Sequence, residues 1–263
     1  MMSQAVAGAS LAIAIASLAW YAGSLSRSGA VAAAMVGTLA VAASWSWGFL
    51  LIWFFVTSSA LTRWRGLVKA ARTHGIVEKG GKRDAAQVLA NGALFALSGA
   101  CGVWSGSMSL QTIGLGSLAT AAADTFATEV GTAVRPTARM ILSGRSVASG
   151  TSGAISAVGT LASVVGAATI AGAALVVGFP PLAATAAGAG GVAGAFADTL
   201  LGATVQERRH CPRCNSPSER LIHDCGTTTH RSGGIAGFRN DAVNVASGAV
   251  GGIVSVLAWS AVR

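Results

Sequence analysis

Charge is what this chain has least of. Asp, Glu, Lys and Arg make up only 10% of its 263 residues, against about 25% in soluble domains. With a hydrophobic fraction of 52% and a mean hydropathy of +0.62, that scarcity excludes an ordinary water-soluble globule and points to an integral membrane protein. Tyr and Phe are few, and Val, Ile and Thr do not alternate with period two, so a lipid-facing β-barrel is excluded as well. The class left is all-α: a polytopic helical membrane protein. Four cysteines make no disulfide framework; three share one polar loop and Cys101 lies in an apolar segment. The first apolar run lacks a basic start, so no cleavable signal or transit peptide is expected. No Gly-Lys-Ser/Thr follows a four-residue gap as in a P-loop, and nothing suggests a Ser-His-Asp hydrolase.

What the chain has in abundance is Ala and Gly, 35 of the latter, which suits helices that approach closely in a membrane. Apolar segments run over 5–23, 29–62, 85–103, 110–133, 152–178, 182–205 and 241–259. The run 29–62 exceeds the roughly 20 residues of one crossing, and Ser44-Trp45-Ser46-Trp47-Gly48 divides it, its Trp pair fitting an interfacial belt. Eight spans result. Every basic residue except Arg263 then falls on one side, in the first short loop or in the loops 63–84, 134–151 and 206–240. The positive-inside rule makes that side cytoplasmic and places the N-terminus outside. The net charge of +9 is therefore read as topology, with lipid rather than nucleic acid as the partner. Ala and Gly richness without a transit peptide suits the cell membrane of a prokaryote. Homo-oligomerisation is left open.

Acids in this setting are costly, and each is a functional-site hypothesis. Gly116, Thr120, Asp124 and Thr128 recur at helical spacing; Gly190, Gly194 and Asp198 repeat the pattern. Asp124, Glu129 and Asp198 fall in the last turns of helices that run towards the basic side. Asp124 and Asp198, with Asp241, could hold Mg²⁺, which takes one or two carboxylates plus substrate oxygens; the structural alternative is hydrogen bonding across a helix pair. Glu129 lies about 140° around the helix from Asp124, so it either acts after a helix break or pairs with a basic loop. Lys79, Lys82 and Arg83, in a Gly-containing turn, suit phosphate contacts or anionic lipid. Asp84, Gln87 and Asn91 follow on one helical face. Arg145, Ser146, Gly150 and Thr151 are read as opening the sixth helix, as an anion site or a simple cap. Asn240 and Asn244 stand one turn apart at the start of the last helix. Cys211, Cys214 and Cys225, with His230 or His223, have the character of a zinc knuckle, and free thiols are the alternative.

Several of these stretches carry a resemblance. Lys79-Gly-Gly-Lys-Arg-Asp-Ala-Ala-Gln-Val-Leu-Ala-Asn91, Ala123-Asp-Thr-Phe-Ala-Thr-Glu-Val-Gly131, Gly150-Thr-Ser-Gly153, Asp198-Thr-Leu-Leu-Gly-Ala-Thr-Val-Gln206 and Asn240-Asp-Ala-Val-Asn244 resemble the membrane family that includes transmembrane protein nineteen and phytyl-phosphate kinase. Asp124-x-x-Ala127-x-x-x-Gly131 with Arg145-Ser146-Val and Gly150-Thr151 is distantly similar to CTP-dependent lipid kinases of the dolichol kinase type, although Arg145 stands where Lys is expected. The resemblance implies a kinase that converts a prenyl phosphate, such as phytyl or geranylgeranyl phosphate, to its diphosphate. CTP or another NTP would be the donor and Mg²⁺ the cofactor. Asp124, Asp198, Glu129, Lys79, Lys82 and Arg83 would be catalytic, and Arg145, Ser146, Gly150, Thr151, Asp84, Gln87, Asn91, Asn240 and Asn244 would bind nucleotide or substrate. The alternative is a transporter or flippase of a small or lipid-linked anion, in which the two Ala-Asp-Thr repeats are halves of a pathway.

Overall fold

The computed structural model describes residues 2–73 and 81–262. Among these residues are eight long helices and one short one: α1 Met2–Tyr21, α2 Arg27–Ala43, α3 Trp45–Arg63, α4 Gly66–Thr73, α5 Ala85–Ser105, α6 Met108–Val134, α7 Ala157–Val176, α8 Pro181–Thr204 and α9 Asn240–Ala261. Local chemistry sets several of the starts. Side chains of Ser26, Ser44, Ser107 and Ser156 each accept a backbone N–H in the first turn of α2, α3, α6 and α7, filling donors that a helix start leaves unpaired. α8 starts on Pro181, whose missing N–H costs nothing there.

The long helices coincide with the apolar segments of the sequence, and α1, α3, α5, α7 and α9 are long and apolar enough to cross a membrane. α2 is apolar but only 17 residues long. α6 is less apolar for a physical reason: over much of its length it faces protein rather than lipid. α6 packs on α3, α4, α5, α7, α8 and α9, and every residue from Gly114 to Ala123 is buried. A helix so enclosed gains nothing from large lipid-facing side chains and can carry Ser, Thr and Asp.

Three expectations need correction. The protein is not strictly all-α. The segment between α6 and α7 folds into a three-stranded antiparallel sheet of order β2-β1-β3, with β1 Thr137–Met140, β2 Ser146–Ala148 and β3 Ala154–Ile155. The segment between α8 and α9 forms a second, of order β5-β4-β6, with β4 Arg208–Cys211, β5 Ser216–Ser218 and β6 His230–Gly233. Second, the helix expected from Ser152 begins only at Ala157. Gly150 and Gly153 take positive φ values of 90° and 79°, which break a helix and turn the chain into β3. Arg145, Ser146, Gly150 and Thr151 therefore do not form a helix N-terminus. Third, the Trp pair is split. Residues i and i+2 lie nearly opposite on a helix; Trp45 is exposed, whereas Trp47 is 1% exposed and packs on Phe95 with ring centroids 4.5 Å apart.

The glycines at helical spacing form a seam where α6, α8 and α9 meet. A Cβ on Gly190 would stand 2.0 Å from Ser255 Oγ and 2.4 Å from the Gly251 carbonyl oxygen; one on Gly194 would stand 2.2 Å from Thr120 Oγ1. Thr120 Oγ1 donates to the Gly116 carbonyl at 2.9 Å and Ser255 Oγ to that of Gly251 at 2.7 Å, so the polar atoms of the seam are satisfied within their own helices. Gly190→Leu should force the three helices apart and cost about 1–3 kcal/mol or more, read as a lower melting temperature in detergent. Gly172→Ala, in open space on α7, should be neutral or slightly stabilising.

Candidate functional site

Helix direction gathers the chemistry at one end of the bundle. The C-terminal ends of α3, α6 and α8 and the N-terminal ends of α5, α7 and α9 surround a polar cavity of about 310 Å³, to whose wall both sheet-bearing segments contribute. Asp124, Glu129, Asp198, Glu219 and Asp241 line it, together with Arg83, Gln87, Asn91, Asn240 and Asn244. Gly150 and Thr151 line it too, with Ser152, Ser156, Thr160 and Ser163. Residues spread over more than 160 positions of sequence thus share one space.

The carboxylates differ in their surroundings. Glu129 is held on both oxygens: Thr62 Oγ1 donates to Oε1 at 2.7 Å, and Lys69 Nζ from α4 forms an ion pair with Oε2. Lys69 is itself buried and also donates to the carbonyls of Leu61 and Thr62 at 2.6 and 2.8 Å. α6 is unbroken from Asp124 to Val134, so Glu129 takes the course of pairing with the basic loop, and fixes α4 against α6. Asp198 Oδ2 accepts from Ser247 Oγ at 3.1 Å. Glu219 Oε1 accepts from Ser152 Oγ and, at 3.2 Å, from Gln206 Nε2. No hydrogen bond reaches Asp124 among the described residues.

Arg83 is the one cation among the described lining residues. Its backbone is clamped to the loop after α1: Arg83 N donates to the Ser24 carbonyl and Ser26 N to the Arg83 carbonyl, each at 3.0 Å. Gly29 lets this clamp close, since a Cβ there would lie 2.1 Å from the Arg83 carbonyl oxygen. Burial pushes the guanidinium below its ordinary pKa and Glu129 works against that shift. Arg83 also lines a second, apolar groove of about 110 Å³ between α1, α2, α3 and α5. Gln87, Asn91 and Thr125 are the other residues common to both spaces.

Other candidates lie elsewhere. Lys82, next to Arg83, lies in a bend and is exposed and off the cavity, whereas the backbone of Arg83 is bridged to Leu25. Asp84 caps α5 instead of lining the cavity: its Oδ1 accepts from Gln87 N at 3.0 Å while Gln87 Oε1 accepts from Asp84 N at 3.2 Å. Arg145 and Ser146 sit on the exposed β1–β2 hairpin, away from the cavity. Lys79 lies outside the described residues. Glu219, in the cavity lining, and Lys69, the partner of Glu129, are the positions that spacing alone did not single out. The signal available was scarcity: with nine acids in the whole chain, each is a candidate.

The cysteine loop gathers apart from the cavity. Cys211, Cys214, Cys225 and His223 bring their ligand atoms within 4.8 Å of one another. His223, not His230, joins the thiols. His230 lies on β6, paired with His210 across β4, on the side of β4 opposite β5 and the Cys211–Cys214 turn. Hydrogen bonds from Thr227 and His223 bring the Cys225 thiol down to about 6, while bonding to Cys225 raises that of Cys214 to about 11.

No solved structure matches this chain. Residues 10–252 match a family of integral membrane proteins, DUF92. A match over that length, on a bundle with five helices apolar enough to span a bilayer, makes the chain an integral membrane protein of the DUF92 family.

Proposed function

We propose that this protein is a membrane phosphotransferase that converts a polyprenyl monophosphate to the diphosphate, with CTP or another nucleoside triphosphate as donor. The observation that carries the reading is the junction of two spaces of opposite character. A polar cavity lined by carboxylates, amides and hydroxyls meets an apolar groove at Arg83, Gln87, Asn91 and Thr125. A substrate with a phosphate head and a hydrocarbon tail would have its head beside Arg83 and its tail between α1, α2, α3 and α5. The eight long helices cross the membrane in alternating directions in this reading, with the N-terminus outside and the cavity at the cytoplasmic face, where nucleotides are. The membrane is the cell membrane of a prokaryote.

The lining offers carboxylate oxygens, the donor type that a hard divalent cation takes. Even with Glu129 neutralised by Lys69, four half-buried carboxylates and one guanidinium line the cavity, and clustered charge withdrawn from water is stable when paired or bound to metal. Asp124, Asp198 and Asp241 would hold Mg²⁺, which prefers carboxylate and phosphate oxygens. Bound there, Mg²⁺ would neutralise charge on the transferring phosphoryl group. The acceptor is already an ionised phosphate, so no strong base is required. One of its oxygens attacks the terminal phosphorus of the donor, the bond from that phosphorus to its bridging oxygen breaks, and the nucleoside diphosphate leaves. Arg83 orients the acceptor, Gln87, Asn91, Asn240 and Asn244 bind phosphate or nucleotide, and Glu129 is a positioning residue. Phosphoryl transfer draws on positioning and charge more than on covalent chemistry, which this lining could supply. The anion-carrier alternative has less support, because beyond the acids the seam of Gly190, Gly194 and Gly251 brings three helices into contact.

The test is an assay of purified protein in detergent with Mg²⁺, labelled CTP, ATP, GTP or UTP, and phytyl or geranylgeranyl monophosphate. Formation of lipid diphosphate is expected, with tailless glycerol phosphate a poor acceptor. Folded protein that transfers nothing from any of the four nucleotides to either lipid would refute the kinase.

A further inference from the structure

We propose that Cys211, Cys214, Cys225 and His223 hold a structural zinc ion, and that this knuckle sets Glu219 in the wall of the polar cavity. Two turns face one another. The first, between β4 and β5, carries Cys211 and Cys214 and closes through Asn215 in the left-handed region at φ 49°. The second carries His223 and Cys225 and closes through Gly226 at φ 78°, with His223 N donating to the Thr227 carbonyl at 2.9 Å. Each turn supplies two ligands.

The spacing within the cluster suits a tetrahedral ion. With Zn–S near 2.3 Å and Zn–N near 2.0–2.1 Å, a tetrahedron has edges of about 3.8 Å between sulfurs and about 3.6 Å between sulfur and nitrogen. Cys211 Sγ and Cys225 Sγ are 3.6 Å apart, and His223 Nδ1 is 3.3 Å from Cys225 Sγ. A disulfide would need about 2.05 Å between sulfurs; all four cysteines are free. His223 lies in the cluster with the atom that this arrangement requires, whereas His230 is held away on β6.

The segment also needs a cross-link. From Gln206 to Arg239 the buried residues are Gln206, Glu207, Cys211, Ser218 and Thr229, so Cys211 is its sole buried apolar side chain. A unit of that size without a core is ordinarily held by metal or disulfide. The link to the cavity is short. β5 runs from the Cys211–Cys214 turn to Ser218, and Glu219 follows directly, anchored by Ser152 and Gln206. An Arg220–Asp224 ion pair ties the next residue to the second turn. Both the ion and the placing of Glu219 in the cavity wall stand independently of the phosphotransferase reading.

The experiment is elemental analysis of the full chain, purified in mild detergent under reducing conditions, with a cobalt(II) titration of chelator-treated protein. About one zinc per chain is expected, with cobalt(II) giving thiolate charge-transfer bands. Cys214→Ser, at an exposed position, and His223→Gln should each lose most of the metal, and His230→Gln should keep it. Reduced, folded wild-type protein that holds no zinc and gives no cobalt–thiolate band would overturn the site, whatever the variants do. Loss of metal in His230→Gln but not in His223→Gln would overturn the ligand set. Hydrogen exchange on the wild type reads the second claim: chelation should speed exchange at residues 150–156 as well as in β4 and β5. Unchanged exchange at 150–156 would overturn the coupling to Glu219.

Discussion

Asp124→Asn and Asp198→Asn are each expected to lower phosphoryl transfer by roughly 10²–10³-fold, the scale seen when one preorganised electrostatic group is removed from an active site. The change is nearly isosteric, so it leaves no cavity and isolates charge. Asp124 has no hydrogen bond to lose among the described residues, and an amide oxygen at position 198 can still accept from Ser247. The fold should therefore survive. Thermal stability should hold or rise, because neutralising one of several neighbouring carboxylates relieves repulsion; function and stability often oppose one another at such sites. Initial rates measured across a range of Mg²⁺ concentrations should show the requirement moving upward in both variants. Wild-type rates at wild-type Mg²⁺ in either variant would remove the acid it replaces from the site. A large fall in melting temperature would instead mark them as packing residues.

The second large effect is expected at Arg83. Arg83→Ala should reduce kcat/KM for the lipid phosphate by about 10²-fold, the order expected for losing a charge-assisted contact worth roughly 1.5–3 kcal/mol. Arg83→Lys should recover part of this, since an ammonium supplies the charge but not the planar fork that grips two phosphate oxygens. The loss should appear mainly in KM for the lipid, with little change in KM for the nucleotide, because Arg83 borders the apolar groove as well as the cavity. The clamp of Ser24 and Ser26 on Arg83 uses backbone atoms, so the loop should keep its place. Equal losses for lipid and nucleotide would put Arg83 at the donor phosphates instead of the acceptor.

Much of the architecture is legible in the sequence. Low charge and long apolar runs make a membrane bundle, because lipid admits only helices or closed barrels. Two glycine stripes ending in Asp predict close helix packing below and chemistry above, and Gly116, Gly190 and Gly194 do lie in the seam of α6, α8 and α9 while Asp124 and Asp198 line one cavity.

The rest depends on contacts between distant segments, which local pattern does not encode. Asp84 has the composition of a site residue, and its cap on α5 shows only when Gln87 is seen folding back on it. Glu129 meets Lys69 because α4 folds back onto α6, sixty residues away in sequence. Lys82 and Arg83 are alike as residues; the bridge between Arg83 and Leu25 decides which of them faces the cavity. Glu219 enters through a β-hairpin that hydrophobic periodicity cannot forecast, since four of the five residues buried in its segment, all but Cys211, are polar. By itself, then, the sequence determines a helical membrane protein and the acids worth watching, because burial in lipid constrains composition directly. Tertiary structure alone decides which charges share a cavity and which only pair or cap, because that choice rests on side chains from different helices reaching the same few ångströms.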